Sequence, residues 1–357
     1  MFNLGVSAMK KSLIALAAIA ASGLAMAQSS VTLYGVADIA LGDANDTQGA
    51  HSNGNINNGT SRIGFRGVED LGNGLKANFQ LEQAVRLADG ATGGNGGSGT
   101  GATFARQAWV GLSGDFGAIR AGRQLTPSHG ATAAYELTGT ANYSAVALNF
   151  GYGGGSRDNA MITYATPSFG GFKATVGYVF EDNYALNSTY GVGDTKGHYD
   201  IGLVYANGPL AVAAAYNYAE VDTGWNKKSR VENSSIGASY DFGAVKLAGS
   251  YHYNDIAAAG YLGGPTTGST NVNPGVEGYS LGASIPFGAF SLTADVVYAE
   301  DRNGNRDGID AVVEAKYALS KRTFVYGVYY RADEDSPTYG SNFTDKNNFA
   351  IGLRHNF

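Results

Sequence analysis

Cysteine is absent from this sequence, which excludes a fold stabilised by disulfide bonds. Proline occurs only 7 times, and after residue 27 no apolar run approaches the ~20 residues that a membrane-spanning helix needs. Basic side chains are also in the minority. Without the two lysines of the first 27 residues, 22 basic side chains stand against 30 acidic ones, a net charge of −8. This acidity argues against a nucleic-acid partner. Glycine (53 residues) and tyrosine (23 residues) are abundant.

The amino-terminal segment differs from the rest of the chain. Met9 is followed by two lysines, an apolar stretch runs from 12 to 24, and residues 25–27 form a small-x-small cleavage site. This order is typical of a secretory signal peptide. The alternative, a single membrane anchor, requires a longer apolar run. We therefore expect initiation at Met9, removal of residues 1–27 and one domain over 28–357.

Polar and apolar side chains alternate with a period of two residues in many segments, and helical periodicity is nearly absent. The segment Phe172–Glu181 is the clearest case. One of its faces carries Phe172, Ala174, Val176, Tyr178 and Phe180, and the other carries Lys173, Thr175, Gly177 and Glu181. The same alternation occurs in 199–205, 245–254, 279–285, 292–298 and 309–317. Segments of about 10 residues have the length of a tilted strand that crosses a bilayer.

The connections between these segments alternate in length. Seven short turns lie at 69–74, 114–117, 166–170, 206–209, 241–244, 286–289 and 319–321. Eight long polar loops lie at about 42–60, 89–103, 125–157, 182–196, 222–232, 256–276, 301–308 and 333–347. Seven short and eight long connections predict sixteen strands, with one rim of short turns and one of long loops, as in a transmembrane barrel. A soluble β-sandwich or propeller also alternates but does not segregate its turns so regularly.

The strand ends and the last strand favour a closed barrel in a membrane. Tyrosine and phenylalanine cluster at strand ends, where aromatic girdles meet lipid headgroups, although β-propensity alone also enriches them. The final segment, 349–357, alternates up to Phe357. Closure requires this segment to pair with the first strand, near Val31–Leu41, so that no edge remains.

Several motifs, in this order, resemble the Gram-negative general diffusion porins, particularly those of betaproteobacteria. They are Ser29–Gly35, Ser61–Gly72, Ala108–Leu112, Ala121–Gln124, Pro167–Phe172 and the terminal Phe357. The resemblance implies an all-β, 16-stranded antiparallel transmembrane barrel, a homotrimer, and a third loop folded into the lumen. It also implies an outer-membrane setting with lipid and lipopolysaccharide, passage of ions and small hydrophilic solutes, and recognition of Phe357 by the insertion machinery.

A porin selects solutes by the width and electric field of its narrowest point. Arg62 lies on the non-lipid face by alternation, because Ile63 and Phe65 occupy the other, and Arg66 shares its face. The resemblance adds Arg106 and Arg157 to the constriction. Alternation does not determine which face Arg106 occupies, since either Trp109 or Val110 could face outward.

The third loop departs from the family pattern. Residues 137–142 stand where many members carry a Pro-Glu-Phe-Gly-type segment, and Glu136 is the only acid from 125 to 156. Several arginines opposite about one carboxylate predict a mild preference for anions. Asp158 could neutralise Arg157 locally. The alternative for all these arginines is that they are ordinary solvated lumen residues.

The rival functions are a barrel enzyme and an adhesin. An outer-membrane protease or phospholipase needs a nucleophile or activated water beside a histidine and a carboxylate. The histidines lie far apart in the sequence, and no zinc spacing accompanies them. A calcium-loop match at 303–314 is a chance match, because 309–317 has the pattern of a strand. We therefore expect no catalytic residues, cofactor or metal. The loops 43–59 and 333–348 leave an adhesin as the structural alternative.

Overall fold

The computed structural model of the 357-residue chain describes residues 30–92, 103–152, 155–180, 195–222, 228–256, 275–302 and 305–357. The expected signal peptide and part of the second loop lie outside these residues. Within them, two helices of six residues each are present, and neither could span a bilayer. The rest of the regular structure is strand.

Seventeen strands form one antiparallel sheet. They are β1 (Ser30–Ala44), β2 (Thr47–His51), β3 (Arg62–Gly72), β4 (Leu75–Ala84), β5 (Gln107–Gly114), β6 (Gly117–Leu125), β7 (Arg157–Ala165), β8 (Phe172–Val179), β9 (Thr195–Asn207), β10 (Leu210–Asp222), β11 (Lys228–Asp241), β12 (Lys246–Ile256), β13 (Val276–Phe287), β14 (Phe290–Asp301), β15 (Asp307–Ala318), β16 (Thr323–Arg331) and β17 (Asn347–Asn356).

The sheet closes on itself through its first and last strands. β1 pairs with β17 from Val36↔Asn356 to Asp43↔Phe349, and with β3 along its first half. The backbone of Phe357 exchanges two further hydrogen bonds with Gly35. β2 is a short hairpin partner of the far end of β1 within the first long loop. The other sixteen strands form the barrel, so the predicted strand number and closure are confirmed.

Side chains alternate across the barrel wall. In β17, Ile351 is 71% exposed whereas its neighbour Ala350 is 2% exposed. Large apolar side chains are exposed in this way on strands around the barrel, for example Val110 in β5 and Leu281 in β13. A closed sheet with an apolar outer face is typical of a protein in lipid and not of a soluble sandwich.

The short turns lie where the sequence predicted them. The turn between β13 and β14 has only two residues between Phe287 and Phe290. Gly288 adopts a φ of +63°, which glycine reaches without the steric cost of a Cβ atom. The predicted rim of short turns is therefore confirmed.

The third loop, residues 126–156, contains helices α1 (Pro127–Thr132) and α2 (Ala145–Phe150). Thr126 and Ser144 cap their amino ends, and Gly151 ends α2 in the left-handed conformation. α1 contacts β8 to β10, and α2 contacts β12 to β15. The side chains that the loop meets, such as His252 and Glu314, lie on the face opposite the exposed apolar residues.

Candidate functional site

A cavity of about 700 Å³ lies between the wall formed by β1, β3 to β7 and β17, the third loop and part of the first loop. Its charged side chains are those of Arg62, Arg66, Arg106, Arg157 and Arg354 and the acidic side chain of Glu82. The structure thus brings together all four arginines that the sequence predicted and adds a fifth.

Glu82 of β4 organises the nearest arginines. Its Oε1 lies 2.7 Å from Nε of Arg106, and its Oε2 lies 3.8 Å from Nε of Arg62. The hydroxyl of Tyr34 donates to Oε2 of Glu82 at 2.9 Å. Glu82 is 3% exposed and Arg106 is 5% exposed, so this pair is set into the wall. A buried carboxylate needs such partners to remain charged.

Arg106 reaches the cavity because it lies outside the strand. Trp109 is 9% exposed and Val110 is 61% exposed, which settles that Val110 faces outward. Continued alternation would also have placed Arg106 outside. β5 begins only at Gln107, and the backbone N–H of Arg106 instead donates to the carbonyl of Glu82 at 3.1 Å. The placement that the resemblance implied therefore agrees with the structure, although strand periodicity could not supply it.

Two groups outside the strands have pKa values that reflect this crowding of positive charge. Burial lowers the pKa of Arg106, and the charge of Arg62 lowers it further, while Glu82 raises it. His129 of the third loop also lines the cavity, where its ring centroid lies 4.5 Å from that of Tyr152. Burial, then the charges of Arg157 and Arg106, lowers the pKa of His129 to about 3. This histidine is therefore neutral near pH 7, and the positive charge of the cavity comes from arginine.

Arg157 stands at the start of β7, beside the third loop. Its Nη1 donates to Oγ of Ser156 at 3.0 Å, and its buried Nε has no hydrogen-bond partner among the described residues. The neighbouring Asp158 directs its Oδ2 to Nδ1 of His198, 3.2 Å away. Asp158 thus pairs with His198, not with Arg157 as the sequence had left open.

Glu136, the carboxylate that we expected opposite the arginines, is not among the residues that line the cavity. Its oxygens accept hydrogen bonds from the backbone N–H groups of Thr138 at 3.0 Å and Thr140 at 2.6 Å. Glu136 is 5% exposed and stabilises the turn after α1. In the structure, Glu82 on the wall is the acid that contacts the arginines.

Two charged residues of the cavity, Glu82 and Arg354, were not predicted, although the sequence held a signal for each. Glu82 follows Gln80 on the polar face of β4, opposite Phe79 and Leu81. Arg354 alternates with Ile351 and Leu353 of β17, both of which face outward. Alternation alone would have placed both side chains on the inner face. It would not have shown that they converge on one cavity.

Comparison with known proteins agrees with this architecture. The sequence profile of a family described as Gram-negative porin matches residues 13–337. Outer membrane porin protein 32 of Delftia acidovorans is 42% identical over 253 residues, which is 68% of each chain. An outer membrane porin of Bordetella pertussis is 31% identical and spans 98% of this chain and 100% of its own. The solved structure of an anion-selective porin from Comamonas acidovorans superposes with a TM-score of 0.73 at 26% identity, covering 92% of this chain and 100% of that one.

Proposed function

This chain belongs to the Gram-negative porin family, and from that premise we propose that its channel prefers anions. The resemblance to betaproteobacterial porins that the sequence motifs indicated is confirmed. The protein is an outer-membrane porin, whose closed sixteen-stranded barrel forms a passive diffusion channel.

The observation that carries the anion preference is the charge around one cavity. Five arginines and one acidic side chain line it, and His129 adds no charge near neutral pH. Fixed positive charge at a constriction raises the local concentration of anions and repels cations. One structural relative is itself named an anion-selective porin. The preference follows from the local field, not from the acidic chain as a whole.

The same proposal gives the third loop the role of the constriction. Tyr135, Tyr143 and Phe150 of this loop are at most 1% exposed, because they pack against apolar side chains of the strands, such as Ala213 and Val297. A loop bound to the inner wall at several points narrows the lumen and faces the arginines across the remaining opening. We assign Arg62, Arg66, Arg106 and Arg157 to the constriction and Glu136 to the folding of its loop.

Reversal potentials across a planar bilayer with a KCl gradient test the selectivity. We expect a potential whose sign reports chloride as the more permeant ion. A cation-selective potential would refute the preference and leave the porin family standing. Conductance itself separates a channel from the rival roles, because an impermeable barrel would favour the enzyme or the adhesin.

Other expectations complete the proposal. We propose that residues 1–27 are a cleaved signal peptide, that the protein is a homotrimer in lipid and lipopolysaccharide, and that the last strand with Phe357 is recognised by the insertion machinery. As a member of a family of channels, it has no proposed catalytic activity and no proposed cofactor. Gel mobility before and after heating tests the trimer, and amino-terminal sequencing of the mature protein tests the cleavage site.

A further inference from the structure

The last part of the first long loop, residues 56–61, is buried, as are several residues of the third loop. Ile56 and Asn57 are at most 1% exposed, and Asn58 is 4% exposed. The Nδ2 of Asn57 donates to Asp38 of β1 at 3.2 Å, and the backbone N–H of Gly59 donates to the other oxygen of Asp38 at 3.2 Å. Residues 53–60 supply part of the lining of the arginine cavity. The first loop is therefore a third side of the site, besides the wall and the third loop.

Asn58 is the residue of this loop that joins the two other sides. Its Oδ1 accepts a hydrogen bond of 2.7 Å from Nη1 of Arg354. Its Nδ2 donates to the hydroxyl of Tyr143 in the third loop at 2.7 Å, and lies 3.3 Å from Glu314 of β15. Its backbone N–H donates to the hydroxyl of Tyr326 at 3.0 Å. Because an amide has one acceptor oxygen and two donor hydrogens, this arrangement uses both ends of the side chain.

Gly59 provides the space for the same arginine. A Cβ atom at position 59 would lie 2.7 Å from Nη1 of Arg354, which is closer than such atoms approach. The obstructed group is the end of a long, flexible side chain. Substitution of Gly59 by alanine would therefore displace the guanidinium group and need not disturb the backbone.

We propose that Asn58 and Gly59 are positioning residues that hold Arg354 toward the channel, so that the first loop helps to determine ion selectivity. This inference rests on the anion preference proposed above. Arg354 is otherwise held by Asn356, whose Oδ1 accepts from Nε at 3.1 Å, and its guanidinium carbon lies 5.8 Å from the ring centroid of Phe324. Without the amide of Asn58, the fifth arginine loses its hydrogen bond on the cavity side. The third loop simultaneously loses its link through Tyr143.

A double-mutant cycle tests whether Asn58 acts through Arg354. The variants are Asn58→Ala, Arg354→Gln and the double variant, each measured by its reversal potential in a KCl gradient. We expect both single variants to reduce the chloride-to-potassium permeability ratio. The double variant should match Arg354→Gln alone, because the arginine through which Asn58 acts is already gone. Additive losses, or an unchanged ratio in Asn58→Ala, would overturn the proposal.

Gln48→Ala is the matched control. Gln48 carries an amide in the same loop but is exposed outside the cavity, where its Nε2 donates to Oδ2 of Asp43 at 3.1 Å. We expect the permeability ratio of this variant to equal that of the parent protein. An equal loss in Gln48→Ala and Asn58→Ala would show a general effect of altering the first loop and would contradict the specific role of Asn58.

Gly59→Ala tests the positioning of Arg354 independently, in case Asn58→Ala does not fold. It should reduce the permeability ratio and leave the heat-dependent gel mobility of the folded barrel unchanged. An unaltered permeability ratio in this variant would contradict the proposal that Gly59 provides the space in which Arg354 is positioned. The outcomes for the two proposals remain distinguishable, because the parent protein alone tests the anion preference, whereas the differences between variants test the positioning.

Discussion

Two walls of the barrel carry charge in opposite ways. The wall of β1, β3 to β7 and β17 presents arginines to an open cavity, with Glu82 as its paired acid. The wall of β14 and β15 carries the acids Asp295, Asp310 and Glu314, all at most 4% exposed. There Asp310 accepts from Asn149 of the third loop at 2.9 Å and from Tyr330 at 3.0 Å. Glu314 accepts from Tyr143 and pairs with Lys316 at 2.8 Å.

The difference explains how a chain with a net charge of −6 can present a positively charged cavity. Asp310 and Glu314 accept hydrogen bonds from the third loop and serve as its anchors, whereas the arginines line the cavity. The position of each charge, and not the total, determines the field that a solute meets.

Removal of two arginines from the open wall should have the largest effect. In Arg62→Gln combined with Arg157→Gln, two of the five positive charges of the cavity are lost. We expect the chloride preference to disappear in reversal-potential measurements, with the barrel intact. Arg322→Gln, in an exposed turn outside the cavity, is the control and should retain the preference. Retention of chloride selectivity in the double variant would contradict the role of the arginine wall.

Removal of an anchor from the covered wall should change the width of the channel. Asp310→Ala leaves the hydroxyl of Tyr330 and the backbone N–H of Asp333 without their acceptor, and Nδ2 of Asn149 retains its bonds to Ala145 and Tyr330. Each buried group so orphaned costs about 1–3 kcal/mol. We expect a lower free energy of unfolding in detergent and a larger or noisier single-channel conductance.

The control for this anchor is Asp115→Ala, in an exposed turn, which should change neither quantity. If Asp310→Ala reproduced the conductance and stability of the parent, the third loop would not depend on the covered wall for its position.

Neutralisation of Glu82, the acid on the open wall, should increase the preference for chloride by a smaller amount. Glu82→Gln retains an oxygen that can accept from Arg106 but removes the negative charge beside it. We expect a modest increase in the chloride-to-potassium permeability ratio and some loss of stability, because a buried arginine loses its charged partner. Glu69→Gln, an exposed acid in the same hairpin, should leave the ratio unchanged. A decrease in Glu82→Gln would mean that the carboxylate mainly orients the arginines.

The smallest effect on selectivity is expected for His129, whose protonation changes stability as a function of pH. The pKa of His129 is about 3 in the folded protein against 6.5 for an unperturbed histidine. Between these values the unfolded chain binds the proton and the folded protein does not, so the folded state loses stability as pH falls from 6.5 toward 3. His129→Gln should flatten this part of the stability profile, measured by urea unfolding in detergent. Identical profiles for variant and parent would show that His129 does not contribute.

The barrel itself could be predicted because its signals are local. In Phe172–Glu181, the alternation identified the outward side chains, and Phe172 and Val176 are indeed exposed. Turn lengths then gave the strand number. Each of these features depends on neighbouring residues in one strand or one turn.

The candidate site could be predicted only in part, because its loops fold through long-range contacts. Arg106 leaves the pattern of β5, and Glu136 turns back to its own loop at Thr138 and Thr140. Asn58 acquires its role from Tyr143 and Arg354, 85 and 296 residues away. A sequence pattern does not show which loop residue meets which wall, so these contacts required the structure.

The reversal potential of the unmodified protein in a KCl gradient is the most direct test of a positive channel in an acidic chain. The five arginines at the cavity predict a potential set mainly by chloride, which should weaken as salt concentration rises and screens the fixed charges. A potential set by potassium at low salt would contradict the account.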